Sequence, residues 1–157
     1  MPHCRQMEGT VVASMPLSYQ GCLIDKFSLT FRDGKVIEHH AEIGEDALTR
    51  LLDTDEGSRR LGEVALIPYD SPIREQNILF YNTLFDENAS CHLALGRCYP
   101  NTVKGGELLS TEELYARGGN DSVNHVDFMI GTADMSVIGI TASGERVTVF
   151  ENGNFVF

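Results

Sequence analysis

Tryptophan is absent from this sequence of 157 residues, and no apolar stretch is long enough to cross a bilayer. Residues 1–20 also lack the apolar centre of a secretory signal peptide. Without tryptophan, the flat stacking platform of many sugar-binding sites is missing. We therefore expect no membrane partner, and a carbohydrate substrate is disfavoured.

Basic residues are scarce as well. The chain has 12 Lys and Arg residues against 23 Asp and Glu residues, which gives a formal net charge of −11 and a pI near 4.7. Such a surface repels the phosphate backbone of nucleic acids and the headgroups of anionic lipids. We therefore predict no nucleic acid partner. The acidity is compatible with cation binding, although a merely soluble domain would show the same charge.

Cysteines are few, and several common catalytic motifs are missing. Cys4, Cys22, Cys91 and Cys98 show no CxxC spacing, and a chain of this length does not need disulfides for stability. We interpret them as reduced thiols of a cytoplasmic protein. The sequence contains no G-x-S-x-G elbow, no Walker or dinucleotide-binding glycine loop, and no H-E-x-x-H helix.

Signals for β-hairpins recur along the chain. Residues 26–31 alternate apolar and polar side chains, Asp33-Gly34 favours a tight turn, and residues 35–41 return. Further turns are predicted at Ser143-Gly144 and Asn152-Gly153, and short helices at 45–52 and 111–116. The pattern predicts a single α+β domain over residues 1–157, with a mainly antiparallel, curved β-sheet built from hairpins and a few short helices.

Two polar residues near the C-terminal end are placed for metal binding. Residues 124–130 are predicted to form a strand, in which His125 and Asp127 leave from the same face. The opposite face is apolar and is expected to pack in the core: Val126, Phe128 and Ile130. An imidazole beside a carboxylate is a natural pair of metal ligands. The alternative is a His–Asp hydrogen bond on a solvated sheet face.

Two further predicted strands carry the same pattern. Glu63 lies beside Ala65 in one strand, and His92 lies beside Ala94 in another. Small neighbours leave room above each ligand for a metal, a water molecule and a substrate. Two imidazoles and two carboxylates form a ligand set suited to Zn²⁺, Co²⁺ or Mn²⁺ and unlike a thiolate-rich structural zinc site. Glu63 could instead face water, and the strand pattern does not decide between these roles.

Other residues are assigned ordinary structural roles. Val64 is expected to face the core, because it alternates with the polar position before it. Asp86 and Glu87 are interpreted as a solvated pair of loop charges, and residues 68–80 as a loop. His3 is expected to be exposed in a terminal arm.

The chain closely resembles the thermophilic metalloaminopeptidase family, of the aminopeptidase S, aminopeptidase T and PepS type. The resemblance runs nearly from end to end, and its two longest segments are highly specific. It implies a pair of divalent metal ions, zinc or cobalt, with manganese or magnesium as further options. These ions would activate a water molecule that releases N-terminal residues from peptides, and the intact enzyme would be a homodimer. The matching segments are 8–11 (EGTV), 55–57 (DEG), 61–66 (LGEVAL), 80–96 (FYNTLFDENASCHLALG) and 124–131 (NHVDFMIG).

The resemblance also implies roles for individual residues. Glu63, His92, His125 and Asp127 are similar to the metal ligands of the family, and they are the residues that the strand faces indicate. Tyr99 is similar to the tyrosine beside the metals, where it would donate a hydrogen bond to the developing oxyanion. Asp127 or Glu63 would bridge the metals, and Glu63 is a local candidate for the general base.

Members of the family are longer than this chain. They have an N-terminal domain and a further metal-binding glutamate just before the position that matches Pro2. We therefore expect the chain to represent the C-terminal catalytic region, with the N-terminal domain absent and activity lost if that glutamate is essential. The alternative, from another functional class, is a noncatalytic β-rich module for metal binding or protein interaction.

Overall fold

The computed structural model describes residues 1–157 and contains ten strands, all paired antiparallel, in three sheets. The first sheet contains β1 (Gly9–Val12), β2 (Leu17–Tyr19), β3 (Cys22–Arg32) and β4 (Lys35–Ile43). The second contains β5 (Leu61–Ala65), β6 (His92–Gly96) and β7 (His125–Met129), and the third contains β8 (Val137–Ile140), β9 (Arg146–Glu151) and β10 (Asn154–Phe155). The helices are α1 (Glu45–Leu52), α2 (Pro72–Glu75), α3 (Thr83–Asp86) and α4 (Thr111–Ala116). The predicted α+β class is confirmed, with the strands divided among three sheets.

The longest hairpin joins β3 and β4 at the predicted turn. Asp33 and Gly34 have φ angles of 51° and 75°, which is the left-handed region that a two-residue hairpin turn requires. A side chain at Gly34 would also collide with the backbone, because a Cβ atom there would lie 2.0 Å from the carbonyl oxygen of Cys4. The turn therefore depends on glycine for both its conformation and its packing.

Both helices predicted from the sequence are observed. α1 spans eight residues and buries Ala47, Leu48, Leu51 and Leu52. α4 begins with a capping box, in which the Ser110 hydroxyl accepts from the N–H of Glu113 and the Glu113 carboxylate accepts from the N–H of Ser110. No helix of the structure is both long enough and apolar enough to span a membrane.

The core lies between the first two sheets and α1. Phe27 of β3 and Phe128 of β7 are fully buried, with ring centroids 5.5 Å apart. Leu93 and Leu95 of β6 and Leu61 of β5 belong to the same cluster. The apolar face of the second sheet is therefore fixed against the first sheet, which holds the side chains of its other face in place.

Val64 does not reach the core, contrary to the prediction. It is 44% exposed, because β5 is the edge strand of the second sheet and the core ends at Leu61. Residues 68–80 are also not entirely loop. α2 begins after Ser71, whose side chain caps it by accepting from the N–H of Ile73 at 3.3 Å.

The first residues are packed rather than free. Cys4 is fully buried, and its N–H donates to the carbonyl oxygen of Gly118 at 2.8 Å. His3 is half-buried beside the same glycine. The expectation of an exposed terminal arm is therefore wrong, because this segment contacts a loop distant in sequence that the local pattern does not reveal.

Candidate metal centre

The second sheet carries the four predicted ligands on one face. The strand register places Glu63, Ala94 and Asp127 in one row across β5, β6 and β7. Neighbours in such a row have Cβ atoms about 4.5–5.5 Å apart. His92 lies two residues before Ala94, and His125 lies two residues before Asp127, so both imidazoles leave from the same face. The small side chain of Ala94 leaves the middle of this row open.

A bulge in β5 puts Glu63 on this face. Leu61 is fully buried in the core, and the pairing register shifts between Leu61 and Glu63. Without the extra residue, both side chains would point to the same face. Gly62 is the residue that permits the bulge, since a Cβ atom there would lie 2.2 Å from the carbonyl oxygen of Arg97.

The ligand atoms converge on a small volume. Nε2 of His125 is 3.4 Å from Oδ1 of Asp127 and 3.6 Å from Oε2 of Glu63. Nε2 of His92 is 3.5 Å from Oε1 of Glu63. Two ligands held about 2.0–2.1 Å from a tetrahedral zinc ion are separated by about 3.3–3.4 Å. These separations therefore suit ligands arranged around a shared cation.

Both imidazoles are oriented by the backbone. Nδ1 of His92 lies 3.2 Å from the carbonyl oxygen of Ser90, and Nδ1 of His125 lies 2.7 Å from the carbonyl oxygen of Arg97. A carbonyl only accepts, so each Nδ1 donates its proton to the backbone and each Nε2 is directed toward the carboxylates. Such a backbone contact is the usual support of a metal-binding histidine.

Glu87 also lies among the candidate metal ligands, a position that the sequence did not indicate. Glu87, His92 and Asp127 form a second triplet of possible ligands beside the triplet of Glu63, His125 and Asp127, and the ligand atoms of each lie within 4.8 Å of one another. Asp127 belongs to both triplets. The arrangement therefore has the composition of two adjacent cation sites that share one carboxylate.

Asp86 is a structural residue, not half of a solvated charge pair. It is buried, and its carboxylate accepts from the N–H groups of Phe80 and Asn82 at 2.8 and 3.1 Å. These bonds close the turn that carries α3, whose N-cap is Asn82. The following 3₁₀ turn, Glu87–Ala89, then directs Glu87 to the second sheet. The capping sequence was the available signal for this turn.

The clustered carboxylates change the pKa of neighbouring groups. Asp127 is the main cause that raises the pKa of His125 to about 9, with contributions from Arg97 and Glu63 against the opposing effect of burial. Burial, followed by the charge of Asp127, raises the pKa of Glu87. The shift of His125 reflects the negative charge of these carboxylates, which a bound cation would neutralise.

Tyr99 lies at the edge of this group. Its ring centroid is 4.5 Å from that of His125. Burial and then the charges of Asp127 and Glu63 raise the pKa of Tyr99, so its hydroxyl keeps its proton and can donate a hydrogen bond. The site opens into a cleft of about 450 Å³, whose walls include Tyr19, Leu84 and Tyr99. This volume is in the range of a small-ligand pocket.

A sequence model of the thermophilic metalloprotease (M29) family matches residues 1–155. The chain belongs to this family. It is 55% identical over 157 residues to Aminopeptidase 2 of Geobacillus stearothermophilus and 55% identical over 157 residues to Aminopeptidase AmpS of Bacillus subtilis. Each match covers 100% of this chain and 38% of the relative.

The fold agrees with that of a solved relative. The structure described as wild-type AmpT from Thermus thermophilus superposes with a TM-score of 0.92 at 46% sequence identity. The match covers 99% of this chain and 38% of that one. The M29 chain therefore spans somewhat more than a third of the length of the relatives it matches.

A second polar cluster of the M29 chain fixes the approach to β7. Asp55 accepts from the N–H of Val123 at 2.7 Å, from the hydroxyl of Ser122 at 2.8 Å, and from the N–H and hydroxyl of Ser58 at 2.8 Å each. Burial alone would raise the pKa of Asp55, but these donors outweigh burial and lower the pKa. The Asp55 carboxylate thus connects the loop of residues 55–58 to residues 122–123, which lie directly before β7.

We expect Asp55→Asn to destabilise the chain by about 2 kcal/mol at pH 7, because hydrogen bonds to a charged acceptor are lost. A lowered pKa contributes stability above the ordinary value of 3.8, and this contribution disappears as the pH falls through the folded-state pKa. The difference between the variant and the parent should therefore be constant at higher pH and shrink as the pH falls below about 4 in urea unfolding. Asp53→Asn, which removes an exposed ion pair with Arg59, should cost less than about 1 kcal/mol at any pH.

Proposed function

We propose that this chain forms the metal-binding catalytic region of a metal-dependent aminopeptidase, which releases N-terminal residues from peptides. The observation that carries the proposal is the pair of ligand triplets that share Asp127 at the floor of an open cleft. The relatives named above are called aminopeptidases, which supports the same reaction. Glu63, His92, His125 and Asp127 are the proposed metal ligands, and Glu87 is added to them.

The proposed cofactor is a pair of divalent cations, zinc or cobalt, with manganese or magnesium as further options. Imidazole nitrogens and carboxylate oxygens suit these metals, and no cysteine belongs to either triplet. Asp127 would help to hold both cations, because its carboxylate belongs to both triplets, whereas each imidazole has a single free nitrogen. The backbone contacts of His92 and His125 would keep those nitrogens oriented as the cations exchange.

When bound, such cations supply a water of lowered pKa and polarise the scissile carbonyl. The side chains of the protein would bind the oxyanion and accept the proton. The Tyr99 hydroxyl, which stays protonated, donates a hydrogen bond to the developing oxyanion, a contribution of roughly 3 kcal/mol for a well-placed donor. Glu63 or Glu87 would accept the proton of the attacking water on a carboxylate oxygen. The acidic cleft also attracts the ammonium group of a peptide N-terminus.

The same proposal places the protein in the cytoplasm as a homodimer. The four free cysteines support a reducing compartment. Exposed apolar side chains on the third sheet, including Ile138 at 44% and Ile140 at 67%, support a protein surface that is covered in the assembled enzyme.

A noncatalytic metal-binding module is the second candidate. The chain spans 38% of the length of its relatives, so a group required for turnover can lie in the remainder. In that case the two triplets would bind cations without hydrolysing peptides.

Metal uptake and hydrolysis together test the proposal. We expect the chain to bind Zn²⁺ or Co²⁺ in calorimetry and to hydrolyse leucinamide or argininamide in their presence. A chelator and His125→Ala should each abolish the reaction, whereas His40→Ala, at an exposed position, should not. Uptake without turnover would favour the noncatalytic module. No uptake at millimolar metal would contradict both functions.

A further inference from the structure

One edge of β2 is unpaired at the cleft. Tyr19 pairs with Cys22 across a two-residue turn, in which Gln20 and Gly21 have φ angles of 49° and 78°. Such a turn hydrogen-bonds the residues that flank it, so the next residue, Ser18, is a non-hydrogen-bonded position. Its N–H and C=O point away from β3, and neither has a partner elsewhere in the chain.

One edge of β7 is unpaired in the same way. The N–H of Arg97 donates to the carbonyl oxygen of Asn124 at 2.7 Å, and the N–H of Ile130 donates to that of Cys91 at 2.8 Å. Residues 124, 126, 128 and 130 therefore face β6. By alternation, the N–H and C=O groups of His125 and Asp127 point outward, away from β6.

These two free edges border the same cleft. Three consecutive residues on each side line it: 18–20, from β2 and its turn, and 125–127 of β7. Side chains alternate between the faces of a strand, so consecutive lining residues indicate that the edges themselves face the cleft. The segment that precedes β2 contacts β7 at one end, where the N–H of Ser14 donates to the carbonyl oxygen of Met129 at 2.8 Å. Farther along, Ser18 and His125 share no backbone hydrogen bond, and the cleft lies between the two edges as an open wedge.

We propose that the main chain of an extended peptide substrate binds in this wedge as an added strand, with its N-terminus at the metal ligands. The proposal rests on the proposed function and specifies how that site holds its substrate. The N–H and C=O of Ser18 would pair with one edge of the peptide, and those of His125 and Asp127 with the other. Unpaired strand edges are templates for such addition. Recognition through main-chain groups would admit many peptide sequences.

Amide hydrogen exchange and chemical shifts of the zinc-loaded, ¹⁵N-labelled chain test this directly. The probe is tetraalanine with a free N-terminus and its first peptide bond reduced, so that it cannot be hydrolysed. The amides of Ser18, His125 and Asp127 should shift and exchange more slowly on titration. Those of Thr10 and Val12, on the outer edge of β1, should not. Shifts confined to other surfaces would overturn the proposal.

Two changes remove the proposed bonds separately. N-methylation of the two remaining amides of the probe should weaken its binding about fivefold or more. Ser18→Pro should have a similar effect, because proline removes the N–H yet is tolerated at strand edges. Val12→Pro makes the same substitution on an edge far from the cleft and should leave the affinity unchanged.

Leucinamide separates this proposal from the proposed function, because it is too short to pair along the strands. If leucinamide binds the zinc-loaded chain but N-methylated and parent probes bind equally, the strand-addition proposal is wrong. If leucinamide does not bind at all, the proposed function fails first.

Discussion

Asp127→Asn is expected to abolish binding of both cations, with a loss of affinity of more than about 100-fold at each site. The substitution keeps the size of the side chain and removes the charge that the two ligand triplets share. Glu87→Gln removes a carboxylate from one triplet only. It should therefore leave one cation bound where Asp127→Asn leaves none. The contrast tests whether Asp127 is the common ligand.

Calorimetric titration with Zn²⁺ measures both the number of bound ions and their affinity. Asp134→Asn is the matched control, because Asp134 is exposed and its carboxylate, which accepts from the hydroxyl of Thr132, belongs to neither triplet. It should retain the parent stoichiometry. Two ions bound to Asp127→Asn with parent affinity would show that the triplets do not share this carboxylate.

The periodicity of the sequence was enough to predict which side chains share the polar face of the second sheet. His92 on β6, and His125 with Asp127 on β7, each alternate with large aliphatic or aromatic residues that are buried on the opposite face. Because side chains alternate strictly along a strand, a short sequence was enough to assign the polar residues to one face. The pairing of these strands in one sheet depends on contacts distant in sequence, which periodicity does not reveal. The resemblance to the family was what indicated that these residues belong to one site.

The bulge in β5 and the 3₁₀ turn that carries Glu87 could not be predicted from the local sequence pattern. Leu61 and Glu63 point to opposite faces only because Gly62 adds one residue to β5, and strict alternation would have placed them together. Glu87 lies on a 3₁₀ turn of three residues, which has no period to read. Its role is visible only once Asp86 is seen to be buried and to hold the turn closed.

Phe128→Ala should destabilise the chain by about 3–5 kcal/mol, the usual cost of removing a buried aromatic side chain. Phe128 is fully buried against Phe27, and the neighbouring positions on its strand carry Asp127 and Met129. A domain of ordinary stability has only about 5–15 kcal/mol in total. The loss would therefore loosen the face of β7 that carries the ligands, as well as the core.

Phe157→Ala is the matched comparison for the same substitution. Phe157 is 90% exposed, so its removal should change the free energy of unfolding by less than about 0.5 kcal/mol. Urea unfolding of both variants without metal measures the packing contribution separately from cation binding. Equal losses in the two variants would contradict the placement of the core between the first and second sheets. A large loss in Phe128→Ala alone would show that the apolar side of β7 supports the polar side, where the proposed ligands lie.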